Sequence, residues 1–530
     1  MDIFRCGKEE FKKHKTASDS DEENDNSKEG GDDDEGDDDE EKVEDLEFDW
    51  DDMKDRKKRL TVNTSSANDW ILSKEGDKLY YLTRFEGKYD IWSTDLKSKE
   101  TKLFAKIGAG RTTMELSKDG KFILVLADGK VIKVSTEDGK AKPVSTNGEM
   151  LLKQADERSY IFDHAWRQVR EKFYVVDLQG VDWEFYNAEY KKFLPYINNS
   201  YDFTEMLSEM LGELNASHTG SGYRHRPENG DQTASLGVLY DYAHADDGVL
   251  IAEVLKGGPL NKASSKIKAG DIIEKIDGEE ITPYIDIYQY LNRKTGKNML
   301  LSVYSPSSGD RWDEVVKPIS LGQENQLLYK RWVETRREEV VRLSEGKLGY
   351  VHVRSMNDAS MRTVFEEALG RHISAEALVV DTRFNGGGNL HDVLSDFLNG
   401  KKYMDIIPHG QYIGSQPWNR WNKPSIVIMG ESNYSDAHLF PVAYKIKGAG
   451  KTLGMPVPGT GTFVWWETQI DPTIYFGIPM GGWKPLDGPF LENNQLEPDI
   501  RVQNKPDVMA AGRDQQIEEA VKEMLKKEKS

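Results

Sequence analysis

Cysteine, long apolar runs and N-terminal hydrophobicity are all scarce in this chain, and each shortage excludes a class of protein. The single cysteine, Cys6, excludes an internal disulfide framework, and its surroundings match neither a zinc knuckle nor a cysteine nucleophile. No apolar run reaches the roughly 18 residues that a membrane-spanning helix needs, and no signal-peptide core is visible. We therefore expect a cytoplasmic protein without membrane contacts, or a periplasmic one if the native N-terminus is missing.

The formal net charge of −21 is concentrated near the N-terminus. Between Asp19 and Asp55 there are 22 acidic and 3 basic residues, a net of −19. Such a segment cannot bury enough apolar surface to fold, so residues 1–58 are predicted to be a disordered tail. An acidic docking or cation-binding tail is the alternative. No basic stripe offsets this charge, which argues against nucleic-acid binding.

The remaining length allows several domains, and the first contains a repeat. LSKEGDKLYYL begins at Leu72 and LSKDGKFILVL at Leu116, a period of 44 residues. Each copy places a glycine-containing turn before an alternating strand, as in a β-propeller blade. Residues 59–149 are therefore predicted to form partial propeller blades. Two blades cannot close a propeller, so they either pack on something else or belong to a longer protein, and we favour the longer protein.

Two further segments precede the C-terminal region. Residues 150–225 have apolar side chains at three- and four-residue spacing, which predicts a helical subdomain. Residues 226–322 alternate strands with glycine turns, and AGDIIEKIDG resembles the hairpin of a PDZ domain. Such a domain binds an extended peptide by adding it to a sheet edge; a module that acts only as a spacer is the alternative.

Residues 323–530 alternate short apolar strands with helices, after a linker helix from about Leu328 to Leu343. LGYVHV, ALVVDTRF and PSIVIMG read as buried parallel strands. A mostly parallel sheet places its active loops at the C-terminal ends of the strands.

Three loops contain candidate catalytic residues. In DTRFNGGGN, three glycines between a strand and a helix allow backbone N–H groups to point at one anion; no Lys-Ser/Thr follows, which argues against a phosphate loop. In GESNYSDAHLF, Ser435 lies at a helix start, where negative charge is favoured. An N-cap role alone is the alternative. In NASHTG, His218 lies in a polar loop, and a structural histidine is the alternative; the pattern alone does not join it to Ser435.

The order of these segments and motifs resembles the tricorn protease family. The motifs are SH in NASHTG, RFNGGG, NYSD and LENNQLEPD, and the similarity extends from about Leu60 to Val502. The resemblance implies a multidomain α/β plus β protein: partial propeller blades, a helical segment, a PDZ domain and an α/β sandwich of the ClpP/crotonase type.

The resemblance also implies residue roles. Ser435 is expected to be the nucleophile and His218 its general base, with Ser217 and Glu492 orienting and polarising the imidazole. The backbone N–H groups of Gly388 and Asp436 are expected to form the oxyanion hole. No metal or organic cofactor is implied.

The resemblance says less about substrate preference and assembly than about the catalytic residues. The position at which the family carries an acidic specificity residue falls on Ile406, with Asp405 beside it, so an apolar or mixed preference is as open as a basic one. The family's hexamer is an expected but open assembly. The related C-terminal processing peptidases use a Ser–Lys dyad, but GMPVPGTGTFVWW contains no lysine.

We therefore expect a serine endopeptidase or oligopeptidase that hydrolyses peptides or unfolded polypeptides through an acyl-enzyme. An inactive PDZ scaffold that binds peptides and an acyl hydrolase of non-peptide esters are the alternatives.

Overall fold

In this computed structural model the described residues are 2–3, 58–61, 66–84, 87–146, 148–225 and 227–526. The chain folds as two compact units, residues 1–151 and 152–530. Most of the predicted acidic tail, including Cys6, lies outside the described residues.

The first unit contains two four-stranded antiparallel sheets and a two-stranded pair. Its strands are β1 (Asp2–Ile3), β2 (Lys58–Arg59), β3 (Ala67–Leu72), β4 (Lys78–Arg84), β5 (Tyr89–Asp95), β6 (Thr101–Ala109), β7 (Thr112–Leu116), β8 (Phe122–Ala127), β9 (Lys130–Ser135) and β10 (Ala141–Pro143). The two copies of the repeat form the equivalent turns β3–β4 and β7–β8. The sheets share one core, in which Leu82, Ile91 and Ile123 are fully buried. Propeller blades remain a prediction.

The second unit begins with three helices: α1 (Gln154–Lys172), α2 (Trp183–Lys191) and α3 (Ser200–Gly212). In α1 the buried side chains Ile161, Ala165 and Val169 recur every four residues and form one apolar face. Helix α3 begins after Asn199, whose side chain accepts the Asp202 N–H. Strand β11 (Gly220–Tyr223) follows the loop that carries His218.

A β-rich module comes next, with its core around Ile251, Ile273 and Leu301. The strands are β12 (Ala234–Ser235), β13 (Val238–Tyr240), β14 (Val249–Val254), β15 (Ile272–Ile276), β16 (Glu279–Glu280), β17 (Met299–Tyr304), β18 (Arg311–Val316) and β19 (Ile319–Ser320), with a short helix α4 (Tyr288–Leu291). Strands β13, β14, β15, β17 and β18 are antiparallel neighbours in that order, and β12 pairs with β19.

The C-terminal region is built on a five-stranded parallel sheet of order β20-β21-β24-β25-β28, which confirms the predicted parallel arrangement. Its elements are α5 (Leu321–Leu343), β20 (Leu348–His352), α6 (Asp358–Phe365), β21 (Ala377–Asp381), α7 (His391–Leu398), β22 (Met404–Ile406), β23 (Gly414–Gln416), β24 (Ser425–Met429), α8 (Asp436–Ile446), β25 (Lys451–Gly454), β26 (Thr462–Thr468), β27 (Ile474–Gly482), β28 (Ile500–Arg501), α9 (Pro506–Ala510) and α10 (Gln515–Leu525).

Helix α5 starts seven residues earlier than the predicted linker helix. Ser320 and Gln323 form a capping box, which satisfies backbone N–H groups at the N-terminus of this helix. Helices α6, α7 and α8 pack on one face of the parallel sheet, and α5 and α10 pack on the other. None of the described helices is both long and apolar enough to cross a membrane.

The helical segment shares its core with a strand from the far end of the chain. Phe203, Leu207 and Leu211 of α3 are fully buried in one cluster with Ile474 and Phe476 of β27. Strand β11 then pairs antiparallel with β27, and β27 pairs with β26. This three-stranded sheet brings the His218 loop onto the C-terminal region.

Candidate active site

Ser435 occupies a strained turn between β24 and α8. Its backbone angles are φ 57° and ψ −124°, outside the regions that non-glycine residues ordinarily adopt. It stands at the N-cap position, yet its side chain makes no capping hydrogen bond. The alternative that Ser435 serves only as an N-cap is therefore wrong, and the hydroxyl is available for another purpose.

The triple-glycine loop lies directly against this turn. A Cβ on Gly387 would fall 2.7 Å from Ser435 Cβ and 3.0 Å from the Asp436 backbone nitrogen, so only glycine permits this approach. Gly388 has φ 144°, and a Cβ there would fall 2.1 Å from the Met356 carbonyl oxygen. Among the described residues, neither the Gly388 nor the Asp436 N–H donates a hydrogen bond. The predicted oxyanion role of these two N–H groups remains a prediction.

The Asp436 side chain fastens the glycine loop to the serine helix. Its buried carboxylate accepts the backbone N–H groups of Leu390 (2.5 Å) and His391 (3.0 Å), and it pairs with the His391 ring at 2.5 Å. A carboxylate at a helix N-terminus is favourable because the first N–H groups have no partner within the helix.

His218 reaches the same region through the β11–β27 pair. Gly220 lies opposite Gly477, and a Cβ on Gly477 would fall 2.5 Å from the His218 carbonyl oxygen. The His218 backbone N–H donates to the Tyr434 hydroxyl at 2.7 Å, and the two rings lie 4.8 Å apart. Since Tyr434 immediately precedes Ser435, the His218 loop contacts the segment that carries the predicted nucleophile. No hydrogen bond joins the Ser435 hydroxyl to the His218 ring among the described residues.

Two side chains contact Nδ1 of His218, and Glu492 contacts one of them. Ser217 Oγ lies 2.9 Å from Nδ1, and Thr462 Oγ1 lies 3.1 Å from it. The Ser217 hydroxyl donates to Glu492 Oε2 at 2.9 Å, and the Ser217 N–H donates to Oε1 of the same carboxylate at 2.5 Å. Because the Ser217 proton is donated to Glu492, Ser217 Oγ is left as an acceptor, and on this basis we assign the ring proton of His218 to Nδ1. This tautomer leaves a lone pair on Nε2.

Burial determines the protonation of this cluster. It lowers the pKa of His218 to about 4, because a buried imidazolium loses its hydration. It also raises the pKa of Glu492, although hydrogen bonds from Ser217 oppose this shift. At neutral pH, His218 is uncharged and able to accept a proton.

Comparisons with known proteins identify the segments that surround this geometry. Residues 154–212 match the tricorn protease C1 domain, residues 245–320 the tricorn protease PDZ domain and residues 347–502 peptidase family S41. This chain belongs to the tricorn protease family. Tricorn protease homolog 1 of Streptomyces coelicolor is 29% identical over 78% of this chain and 40% of its own length. Tricorn protease of Thermoplasma acidophilum is 24% identical over 90% of this chain and 46% of its own length.

A solved structure of tricorn protease has the same fold. The TM-score is 0.78 at 22% identity, over 91% of this chain and 48% of that one. The chain therefore spans about half the length of the relatives it matches. The prediction of the family, made from its motifs, is confirmed.

Not every predicted residue joins the cluster. Asp405 and Ile406 lie in the β22–β23 hairpin, where Asp405 is ion-paired with Lys402 at 2.6 Å. Within the described ranges, no hydrogen bond or ion pair links this hairpin pair to Ser435 or His218. Their predicted role in substrate binding remains a prediction.

Two residues that contact His218 directly, Tyr434 and Thr462, are not among the site residues predicted from the sequence. Tyr434 was passed over although it adjoins the candidate serine, and a buried aromatic hydroxyl usually finds a partner. Thr462 lies in GTGTFVWW, a segment in which the sequence predicts no catalytic residue. A polar residue at the start of a strand was the only available signal.

A cavity of about 1200 Å³ lies elsewhere, between the PDZ module and α5. Ion pairs cross it, with Arg331 bound to Glu253 and Lys256 bound to Glu334, each at 2.6 Å. Its lining contains none of the candidate catalytic residues.

Proposed function

We propose that this chain is a serine peptidase that hydrolyses peptides or unfolded polypeptides through an acyl-enzyme. Ser435 attacks the carbonyl carbon, and Nε2 of His218 takes the hydroxyl proton and then delivers it to the leaving amine. Water attacks the acyl-enzyme in the second half of the reaction, with His218 again acting as the base.

The other residues support charge that develops during these steps. The proton on Nδ1 of His218 is held by Ser217 Oγ, and Glu492 stands behind Ser217 to balance the imidazolium. The N–H groups of Gly388 and Asp436, which donate no hydrogen bond within the described part of the chain, are assigned to the oxyanion, where one such donor is worth on the order of 10²–10³ in turnover.

One observation carries this proposal above the others. Ser435 is held in a sparsely populated conformation without a capping hydrogen bond, and Tyr434, which precedes it, contacts His218, whose pKa is lowered to about 4. Strain of this kind costs on the order of 1–3 kcal/mol and persists where function requires it. A spacer or N-cap serine needs none of it.

The finer features of the family are part of the same proposal. The two antiparallel sheets would be propeller blades, residues 226–322 a peptide-binding PDZ domain and the parallel-sheet region a sandwich of the ClpP/crotonase type. Assembly into a hexamer follows from the resemblance alone, and a cytoplasmic location remains the expectation drawn from the sequence.

A fluorophosphonate probe tests the proposal directly. We expect it to label Ser435 in the folded protein, and Ser435→Ala to lose both labelling and peptide cleavage. Peptide and ester substrates with matched side chains distinguish a peptidase from an ester hydrolase. A folded protein that resists the probe and cleaves neither substrate would instead be the inactive scaffold.

A further inference from the structure

A three-residue stretch, Thr460, Gly461 and Thr462, lies between the nucleophile turn and the base. We call it the bridging segment. The Ser435 N–H donates to Thr460 Oγ1 at 3.0 Å. Thr462 Oγ1 lies 3.1 Å from His218 Nδ1. One short segment thus contacts both halves of the proposed catalytic machinery.

Thr460 supports the strained turn at Ser435. Its hydroxyl accepts the Ser435 N–H, and its own N–H donates to Nδ1 of His438 at 3.2 Å. His438 lies one helical turn after Ser435 and is fully buried. Burial lowers its pKa to about 4, so its Nδ1 keeps the lone pair that accepts this bond. Thr460 is therefore bonded to α8 on both sides and cannot shift independently of it.

Thr462 supports the base. Its hydroxyl lies within hydrogen-bond reach of the Ser217 carbonyl oxygen, to which it donates at 3.4 Å, so its lone pairs can face the imidazole. Nδ1–H of His218 then has two acceptors, Ser217 Oγ and Thr462 Oγ1. When His218 gains a second proton, this N–H becomes more acidic and both bonds strengthen.

Gly461 holds the segment against the turn that carries Glu492. A Cβ at this position would fall 2.4 Å from Leu491 Cβ and 2.9 Å from the Glu492 backbone nitrogen. The Gly461 carbonyl also accepts the Trp483 N–H at 2.8 Å. The close packing fixes the spacing between the two threonine hydroxyls.

We propose that the bridging segment positions the nucleophile and the base relative to each other. Thr460 acts on Ser435 through its backbone amide, and Thr462 acts on His218 through Nδ1. Both are positioning residues, because neither touches the substrate. The inference rests on the proposed peptidase function.

Isosteric replacements test Thr462. Thr462→Val keeps the shape and removes the acceptor, so we expect kcat to fall about tenfold, as for one lost bond that forms fully in the transition state, with KM within about twofold. Thr462→Ser restores the hydroxyl and should recover most of kcat. The valine variant should also move the acid limb of the pH–rate profile to lower pH, since the imidazolium loses an acceptor.

Thr460→Val should slow fluorophosphonate labelling of Ser435 by about tenfold, and Thr460→Ser should restore it. The matched control is Thr363→Val on α6, where the hydroxyl bonds only within its own helix, to the Ala359 carbonyl. This variant should leave kcat and labelling unchanged. If Thr462→Val unfolds, Thr462→Cys removes most of the acceptor strength at similar volume and gives the same comparison.

The inference is overturned if Thr462→Val folds and keeps kcat within twofold, with an unchanged acid limb, while Ser435→Ala is inactive. Cleavage by Ser435→Ala would instead reject the proposed function itself. The two failures therefore give different results.

Discussion

The pH dependence of the first chemical step follows from the burial of His218. Burial lowers the pKa of His218 from an ordinary 6.5 to about 4, so the imidazole of the folded protein stays uncharged between about pH 4 and pH 6.5. At pH 5.5 an unperturbed histidine would be only about one tenth uncharged, whereas a histidine of pKa about 4 would be almost wholly uncharged. We therefore expect kcat/KM to stay near its plateau at pH 5.5, roughly tenfold above the value for an ordinary histidine.

The assay is kcat/KM on an uncharged peptide between pH 4.5 and 8, because this ratio reports the free enzyme. Circular dichroism at each pH restricts the analysis to folded protein. His244→Asn, on a loop of the PDZ module, is the control and should leave the profile unchanged. A limb with its midpoint near pH 6.5 in folded protein would refute the argument that burial sets this pKa.

Three more predictions concern stability and turnover. Ser435→Ala should abolish cleavage but change the free energy of unfolding by less than about 0.5 kcal/mol, because this hydroxyl makes no capping hydrogen bond. Ser320→Ala breaks a capping box, so in urea denaturation it should lower the free energy of unfolding by about 1 kcal/mol while turnover is retained. Gly388→Ala should lower kcat by about 10² or more, since its Cβ meets the Met356 carbonyl; wild-type turnover there would contradict the oxyanion assignment. Urea denaturation should show a lower free energy of unfolding at pH 5 than at pH 7. The unfolded chain binds a proton below pH 6.5 that buried His438 does not bind until about pH 4, which amounts to about 2 kcal/mol over this interval. Equal stability at both values would contradict neutral burial.

The segment pattern was well suited to prediction from sequence. Three apolar runs separated by helical periodicity gave the parallel strands β20, β21 and β24, because strands buried on both faces need continuous apolar residues. The 44-residue repeat gave two equivalent hairpins for a similar reason: each glycine turn is encoded locally. The start of helix α5 was predicted seven residues too late, because it depends on Ser320, a capping residue that lies outside the run of periodic apolar positions.

The hydrogen bonds within the candidate active site could not be predicted from local sequence patterns. Tyr434 and Thr462 matter through hydrogen bonds to a histidine more than two hundred residues away, and no local pattern records such a partner. The unused hydroxyl of Ser435 was equally invisible, since a serine before a helix ordinarily predicts a cap.

The sequence by itself determined the order of the segments, the parallel sheet, the glycine loop and, through its motifs, the family. Only the tertiary structure decided that the His218 loop lies beside Tyr434 and Ser435. The physical reason is a shared core: Phe203 and Leu207 are buried in one cluster with Phe476 of β27, and this burial brings β11 and its preceding histidine onto the C-terminal region. Burial of that kind depends on surfaces that meet in space and leaves no signal at either position alone.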